Sequence, residues 1–187
     1  ADFDAIYERY FGGVPETYRP RRINLRGPLL FGLAESDRAR RFADALESED
    51  YVLAGRLMNI GHDGDRVMDG SGNPYRRDVD DTVLEAMEQK EIPIALCPGD
   101  YGASSPVLDA LVDAAISAGA LGSSLTGAGI AGAVIALCRT EKAESVADAV
   151  RASMATEHYA ALAGRNAPYG SKELTEAVVV NIAPEGV

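Results

Sequence analysis

The first strong pattern of apolar and polar positions along the chain is helical. A polar residue, Ser36, precedes apolar residues that recur at spacings of three and four. Such a stripe predicts an amphipathic helix with Ser36 as its N-cap. The predicted apolar face consists of Ala39, Phe42, Ala43 and Leu46. Before it, turn signals among aromatic and Arg residues predict only a short helix and a loop.

A second helix with the same periodicity follows. Its apolar residues are Tyr51, Ala54, Leu57 and Met58. Gly61 is a typical residue for the end of such a helix. The next segment, residues 62–103, is irregular, and only residues 81–90 predict a short helix within it. A connection of this length in a compact domain is either functional or mobile, and the sequence does not decide between the two.

Regular patterns return at residue 105. Ser105 followed by Pro106 is a typical helix start, and Gly119 is a typical end. The apolar stripe between them comprises Leu108, Leu111, Val112, Ala115 and Ile116. After this helix, residues 123–126 and 133–138 flank a glycine-rich segment. We therefore expect a pair of hairpin strands with an elaborate connection.

The C-terminal part of the chain predicts one long helix and one strand. Thr140 is the expected cap of the longest helix, which ends near Gly164. Its apolar face consists of Ala143, Val146, Ala147, Val150 and Met154. The last strand, residues 177–182, is rich in valine. The order helix, strand, strand, helix, strand predicts an α+β fold with a ferredoxin-like antiparallel sheet covered by helices.

Composition narrows the classes of function. The chain has 187 residues, of which 47% are hydrophobic, and a net charge of −11. This length supports one compact domain, and the acidity argues against binding nucleic acid or anionic membranes. No apolar run has the length of a membrane helix, and the N-terminus has no signal-peptide pattern. The first residue is not Met, which suggests that the chain is a piece of a longer one.

The cysteines and histidines do not predict a disulfide or a metal site. Cys97 and Cys138 lie far apart in apolar runs, as expected for buried reduced thiols in a cytoplasmic protein. His62 and His158 are isolated, and packing or helix capping is their expected role. A weak calcium-loop pattern at Asp63, Asp65 and Asp69 lacks its twelfth ligand, because Pro74 stands there. We therefore predict no bound metal.

The glycine-rich segment and three others resemble a known family. Residues 122–137 read Gly-Ser-Ser-Leu-Thr-Gly-Ala-Gly-Ile-Ala-Gly-Ala-Val-Ile-Ala-Leu, which resembles the third signature motif of galactokinases. Residues 100–109, Asp-Tyr-Gly-Ala-Ser-Ser-Pro-Val-Leu-Asp, are similar to the helix opening that precedes this motif. Glu35-x-x-Arg38 with Leu57-Met58-x-x-x-His62, and the closing residues 180–187, are also similar, in the same order.

The resemblance implies the C-terminal domain of a galactokinase-like protein of the GHMP kinase superfamily. It implies residues 1–34 as the remnant of a linker to a missing N-terminal kinase domain, and residues 35–187 as the C-terminal domain. Residues 67–99 are then an insertion. In such kinases the N-terminal domain binds most of the ATP and Mg²⁺ and supplies the catalytic residues, so we expect none of the catalytic residues in this chain.

The site residues follow from the same motif. Glycines permit positive φ and close approach of the backbone, so successive amides can face an anion. The plainer interpretation is a tight turn between two strands, and the resemblance favours the first. The expected ATP-contacting residues are Ser124, Thr126, Gly127, Ala128, Gly129 and Gly132. A second glycine-containing run, residues 32–36, only superficially echoes a phosphate loop, because Glu35 would place a negative charge there.

Three functions remain open at this stage. The leading one is part of an ATP-dependent sugar kinase acting on galactose or a related monosaccharide, inactive in isolation and able to form a homo-oligomer. The second is a noncatalytic domain that binds a ligand or partner. It is favoured by Ser124, where the family has Lys or Arg, and by Ala131, where it has Gly. The third is a GHMP kinase for another small metabolite.

Overall fold

The structure is a computed structural model. It describes residues 3–15, 24–127, 129 and 132–166. The strand predicted at residues 177–182 lies outside the described residues.

Seven helices and two strands make up the described part of the chain. The helices are Phe3–Phe11 (α1), Arg26–Glu47 (α2), Tyr51–Asp65 (α3), Asp81–Gln89 (α4), Pro106–Ser117 (α5), Ala143–Met154 (α6) and Glu157–Asn166 (α7). The strands are Gly122–Thr126 (β1) and Ala133–Leu137 (β2), which pair in antiparallel orientation with Thr126 opposite Ala133. The predicted α+β class with an antiparallel sheet is confirmed. None of the helices described is long and apolar enough to cross a bilayer.

Helix α2 begins ten residues before the predicted start. Asn24 fixes this start, because its side-chain oxygen accepts a hydrogen bond from the Gly27 amide at 3.2 Å. Ser36 lies inside the helix, where its hydroxyl donates to the carbonyl of Gly32 at 2.9 Å. The prediction of Ser36 as an N-cap is therefore wrong. The boundary predicted between residues 34 and 35 lies within this helix.

The buried face of α2 also differs from the predicted one. Three of the four residues predicted to be buried, Ala39, Ala43 and Leu46, are exposed. The buried positions are Gly27, Ala34, Arg38 and Ala45. The hydrophobic pattern misses this face because one of its buried residues is an arginine. Its guanidinium can be buried because it forms hydrogen bonds, which sequence periodicity does not predict.

Helix α3 continues past Gly61 and ends at Asp65, so the predicted stop is wrong. Gly61 instead allows close approach of α2: a Cβ there would lie 2.8 Å from Oε1 of Glu35. The mid-helix glycine therefore makes space for a neighbouring side chain rather than ending the helix. Of the predicted apolar face, Ala54 and Leu57 are buried as expected, whereas Tyr51 is exposed.

Side chains of α3 cover the outer edge of β1. The Ser123 amide donates to Oδ1 of Asn59 at 2.9 Å, and the Leu125 amide donates to Nδ1 of His62 at 3.4 Å. Asn59 also donates to the carbonyl of Leu121 at 3.3 Å. An edge strand exposes unpaired amides and carbonyls, and here helix side chains satisfy them.

Helix α5 matches its predicted signals. The Ser105 hydroxyl accepts a hydrogen bond from the Leu108 amide, Pro106 opens the first turn, and Gly119 follows the helix with φ of +102°. Together with α7, α5 forms a hydrophobic core. This core consists of Met68, Val107, Leu111, Tyr159, Leu162 and Ala163.

The long C-terminal helix is two helices. Residues Thr140–Lys142 form a 3₁₀ turn, and α6 begins after Lys142 without a side-chain cap, so the prediction of Thr140 as cap is wrong. The helix stops at Met154, and Thr156 caps α7 by accepting the Tyr159 amide at 3.1 Å. The break lets α7 turn back onto α5, which a continuous apolar stripe does not reveal.

A buried carboxylate, Asp109, joins these elements. Its Oδ2 accepts the amides of Val67 at 3.0 Å and Met68 at 2.8 Å. Its Oδ1 lies 3.1 Å from Nε2 of His62. Burial raises the pKa of Asp109, but hydrogen bonds from His62, Ser104 and the two amides outweigh this effect and hold the pKa below its usual value. Asp109 therefore remains ionised inside the protein.

Two aspartates one turn apart on α5 provide a matched test of this network. Asp109→Ala leaves two amides and His62 without their acceptor, so we expect a loss of about 3–5 kcal/mol in the free energy of unfolding. Asp113→Ala removes a partly exposed ion pair with Arg66 and should cost no more than about 1 kcal/mol. Urea unfolding of both variants measures the difference. Equal losses would contradict the role given to Asp109.

Candidate functional site

The connection between β1 and β2 contains three glycines in the left-handed region. Gly127, Gly129 and Gly132 have φ of +88°, +74° and +152°. Side chains other than hydrogen are strained at such angles, which explains the choice of glycine. Within the described residues, the amides of these three glycines donate no hydrogen bond to the rest of the chain. They are neutral donors at the end of a hairpin.

The centre of this loop is fixed against the segment that precedes α5. Gly129 is buried, and a Cβ at this position would lie 2.0 Å from the carbonyl oxygen of Ala103. The loop is therefore a close fit on residue 103 as well as a chain reversal.

The predicted site residues differ in their exposure. Thr126, Gly127 and Gly132 are exposed, Ser124 is half-buried, and Gly129 is buried. Ala128 lies outside the described residues. Thr126 and the three described glycines thus lie at one end of the hairpin, whereas Ser124 lies in the middle of β1. Only the exposed ones are open to a ligand in this conformation.

A groove of about 290 Å³ lies beside β1, between α2 and α3. Its apolar lining residues are Ala39, Phe42, Leu57, Met58, Leu125 and Ile135. Its polar lining residues are Glu35, Arg38, His62, Asp65 and Ser124. Ser124 and Leu125 connect the groove to the glycine loop.

The cation of the groove, Arg38, is paired through two of its three guanidinium nitrogens, and its Nη2 has no hydrogen-bond partner among the described residues. Arg38 Nε lies 2.6 Å from Oε1 of Glu35, and Nη1 donates to the carbonyls of Ala95 at 2.8 Å and Cys97 at 3.0 Å. Asp65 adds a second carboxyl group. With two carboxyl groups and one bound guanidinium, the groove is a poor place for a phosphate. An anion would instead be received by the loop amides.

Asp65 is a buried carboxyl group at the C-terminal end of α3. It is only 9% exposed, and its Oδ1 has no hydrogen-bond partner among the described residues. Burial raises the pKa of Asp65 to about 6, with a further rise from Glu35. The Ala103 amide, His62 and Arg38 oppose this rise. Asp65 can therefore take up and release a proton near neutral pH.

Sequence reasoning considered Asp65 only as part of a calcium-like pattern. The other members of that pattern have partners: Asp63 pairs with Arg77, and Asp69 accepts the amides of Ser71 and Asn73. Within the described residues, no group of three His, Cys, Asp or Glu side chains is placed to hold a metal ion. The unusual property of Asp65 comes from its burial, which a local pattern does not contain.

The structure also gives the positions of the other residues that the sequence analysis considered. Residues 32–36 lie within α2, so their amides are engaged along the helix and do not converge on an anion. His62 is buried between Asp109 and the Leu125 amide. Both cysteines are free, with Cys97 buried and Cys138 half-buried.

Two glycines with similar φ provide a test of the loop contact. Gly72 has φ of +83° and open space around its Cα, whereas Gly129 would also meet Ala103. Gly72→Ala should cost about 1–2 kcal/mol from backbone strain alone. Gly129→Ala should cost roughly 1–3 kcal/mol more, because the methyl group overlaps a carbonyl oxygen. Unfolding free energies measure both, and equal costs would contradict the close fit.

The acidity of Asp65 predicts a pH dependence of stability. Because its pKa is raised from 3.8 to about 6, the folded state binds this proton more tightly than the unfolded state. The contribution of this bound proton to the free energy of unfolding is fully present below pH 3.8. It is lost as the pH rises through 6. The free energy of unfolding of Asp65→Asn, measured relative to that of the native chain, should therefore increase by up to about 3 kcal/mol over this pH range. Urea unfolding at pH 4 and pH 7 measures it; a constant difference would contradict the shift.

Comparisons with known proteins agree with the resemblance found in the sequence. Residues 80–156 match the family model described as GHMP kinases C terminal. This match runs from the N-cap of α4 through α6, and it includes the hairpin and its glycine loop. Galactokinases of Mycobacterium bovis (strain BCG / Pasteur 1173P2) and Mycobacterium tuberculosis (strain ATCC 25177 / H37Ra) are 31% identical over 127 residues.

These alignments cover unequal shares of the chains compared. They include 68% of this chain and 26% of each galactokinase. The chain therefore spans about a quarter of the length of these relatives. The family match, the alignments and the α+β fold agree, and the chain carries a C-terminal domain of the GHMP kinase superfamily.

Proposed function

We propose that this chain is the C-terminal part of an ATP-dependent sugar kinase whose acceptor is galactose or a related monosaccharide. The kinase superfamily follows from the comparisons, and the sugar is taken from the name galactokinase of the relatives. Because the chain spans 26% of those relatives, most of the catalytic apparatus is expected in a preceding N-terminal domain. That domain would bind Mg²⁺ and supply the catalytic residues.

The proposed role of the glycine loop is to face the phosphates of ATP with main-chain amides. The observation that carries this role is the set of left-handed glycines whose amides have no partner in the described part of the chain. Neutral amides suit an anion next to a groove that already holds two carboxyl groups. Ser124, Thr126, Gly127, Ala128, Gly129 and Gly132 remain the proposed contact residues.

Such a loop would orient the nucleotide without taking part in bond making or breaking. Phosphoryl transfer depends mainly on positioning and on stabilising charge. Contact with Ala103 fixes the position of Gly129 in this loop. We therefore expect the isolated chain to bind nucleotide weakly and to show no turnover.

The alternative function is a noncatalytic domain that binds a ligand or partner. Ser124 favours it, because it stands where the family has Lys or Arg. It also lies in a groove where Arg38, the one arginine among the described lining residues, is paired with Glu35. A third proposal keeps the enzyme class and changes the acceptor to another small metabolite.

The test is an assay of the protein from the full reading frame. With ATP, Mg²⁺ and a panel of sugars, we expect phosphorylation of galactose or a related sugar. Turnover only with an unrelated metabolite would favour the third proposal. A folded protein that consumes no ATP with any acceptor would favour the noncatalytic one. Turnover by the 187-residue chain alone would contradict the proposal that the catalytic residues lie in a preceding N-terminal domain.

A substitution in the same protein tests the loop itself. Gly129→Ala should displace the loop and reduce kcat on the order of 10- to 100-fold, because small misplacements of positioning groups are costly. Gly70→Ala is the control, since it lies in open space at an ordinary φ and should leave kcat unchanged. Steady-state kinetics measure both. Equal kcat values for the two variants would rule out a positioning role for the loop.

A further inference from the structure

Helix α3 bonds to the outer edge of β1 immediately before the glycine loop. The Ser123 amide donates to Asn59, and two residues later the Leu125 amide donates to Nδ1 of His62 at 3.4 Å. Strand β1 ends at the next residue, Thr126, and the loop then begins with the left-handed Gly127. Of these two bonds, the one to His62 therefore lies nearer the loop.

The direction of this hydrogen bond assigns the hydrogen on the imidazole ring. A backbone N–H can only donate, so Nδ1 of His62 accepts through a lone pair and carries no hydrogen. The single hydrogen of the neutral ring is then on Nε2. Nε2 lies 3.1 Å from Oδ1 of Asp109, and the side chain of His62 is 1% exposed, so water does not compete for either nitrogen. A protonated ring would place a second N–H against the N–H of Leu125.

Charged groups from three helices surround His62. Asp109 faces it from α5, and Asp65 lies near it on α3. From α2, Glu35 and Arg38 line the same groove and pair with each other. The amide of β1 is the partner that requires a lone pair on Nδ1. The bond to the strand therefore exists only while the ring is neutral.

We propose that His62 is a positioning residue for the glycine loop, which it holds through the Nδ1 lone pair that accepts the Leu125 amide. Without this bond, the end of β1 at Thr126 and the start of the loop at Gly127 would be free to move. The proposal rests on the proposed function for what the loop binds, because a loop that receives phosphate depends on where its amides point. The bond itself forms without nucleotide, so it can be tested separately from kinase activity.

Two substitutions separate this role from simple packing. His62→Asn places a side-chain oxygen near the position of Nδ1 and keeps an acceptor for Leu125. His62→Gln extends its amide toward the position of Nε2, near Asp109, and removes that acceptor. In hydrogen exchange of the chain without nucleotide, the Leu125 amide should exchange on the order of 5- to 10-fold faster in His62→Gln. In His62→Asn it should keep the native rate.

The loop is followed in the same variants by ¹⁵N relaxation. Order parameters of Gly127 and Gly129 should fall in His62→Gln and stay native in His62→Asn. Asn59→Ala is the matched control, because it frees the Ser123 amide farther from the loop. It should speed exchange at Ser123 and leave the order parameters of the loop unchanged.

The native chain gives a further test that does not depend on the folding of a variant. A ¹H–¹⁵N spectrum of the imidazole at neutral pH should show a hydrogen on Nε2 of His62 and none on Nδ1. A hydrogen on Nδ1 would overturn the proposal.

Three results with the variants would also overturn it. Equal exchange of Leu125 in His62→Asn and His62→Gln would assign the effect to packing. Faster exchange at Leu125 with native order parameters at Gly127 would show that the loop does not depend on the bond. Loss of order at Gly127 in Asn59→Ala would assign the effect to the strand as a whole. A full protein that phosphorylates no sugar would contradict the proposed function and would leave all these measurements as they are.

Discussion

The contact between His62 and Asp109 inside the protein is the constraint on which the other elements depend. The buried carboxylate of Asp109 accepts hydrogen bonds from the amides of Val67 and Met68, which follow α3, and contacts His62. His62 in turn accepts the Leu125 amide of β1. These contacts hold helix α3, helix α5 and the hairpin in place relative to one another. Buried charge is tolerated only when it is paired or hydrogen-bonded, as Oδ2 of Asp109 is through two amides.

The sequence predicted the parts of the fold that local signals determine. Ser105, Pro106 and Gly119 define α5 because caps and positive φ act within one turn. It did not predict the buried face of α2, because Arg38 is buried through carbonyls nearly sixty residues away. Nor did it predict that α3 continues past Gly61, since that glycine serves contact with Glu35 on another helix. Long-range partners decide these features.

The candidate site shows the same division. The glycine motif identified the loop, since left-handed φ restricts the choice of residue at each position. Asp65 was not identified, because its acidity arises from burial among α2, α3 and the residue 103 segment. The groove beside the loop likewise could not be inferred, since its lining residues come from four separate elements. Resemblance to a family identifies a motif from the sequence. The charged and buried groups around that motif are known only once the fold is known.

The covering of β1 by Asn59 and His62 determines how the sheet can grow. With the Ser123 and Leu125 amides bonded to helix side chains, no further strand can join on that side without displacing α3. Addition of a strand from another polypeptide to the described sheet is therefore confined to the side of β2. The direction of sheet extension is thus set by two polar residues on a helix.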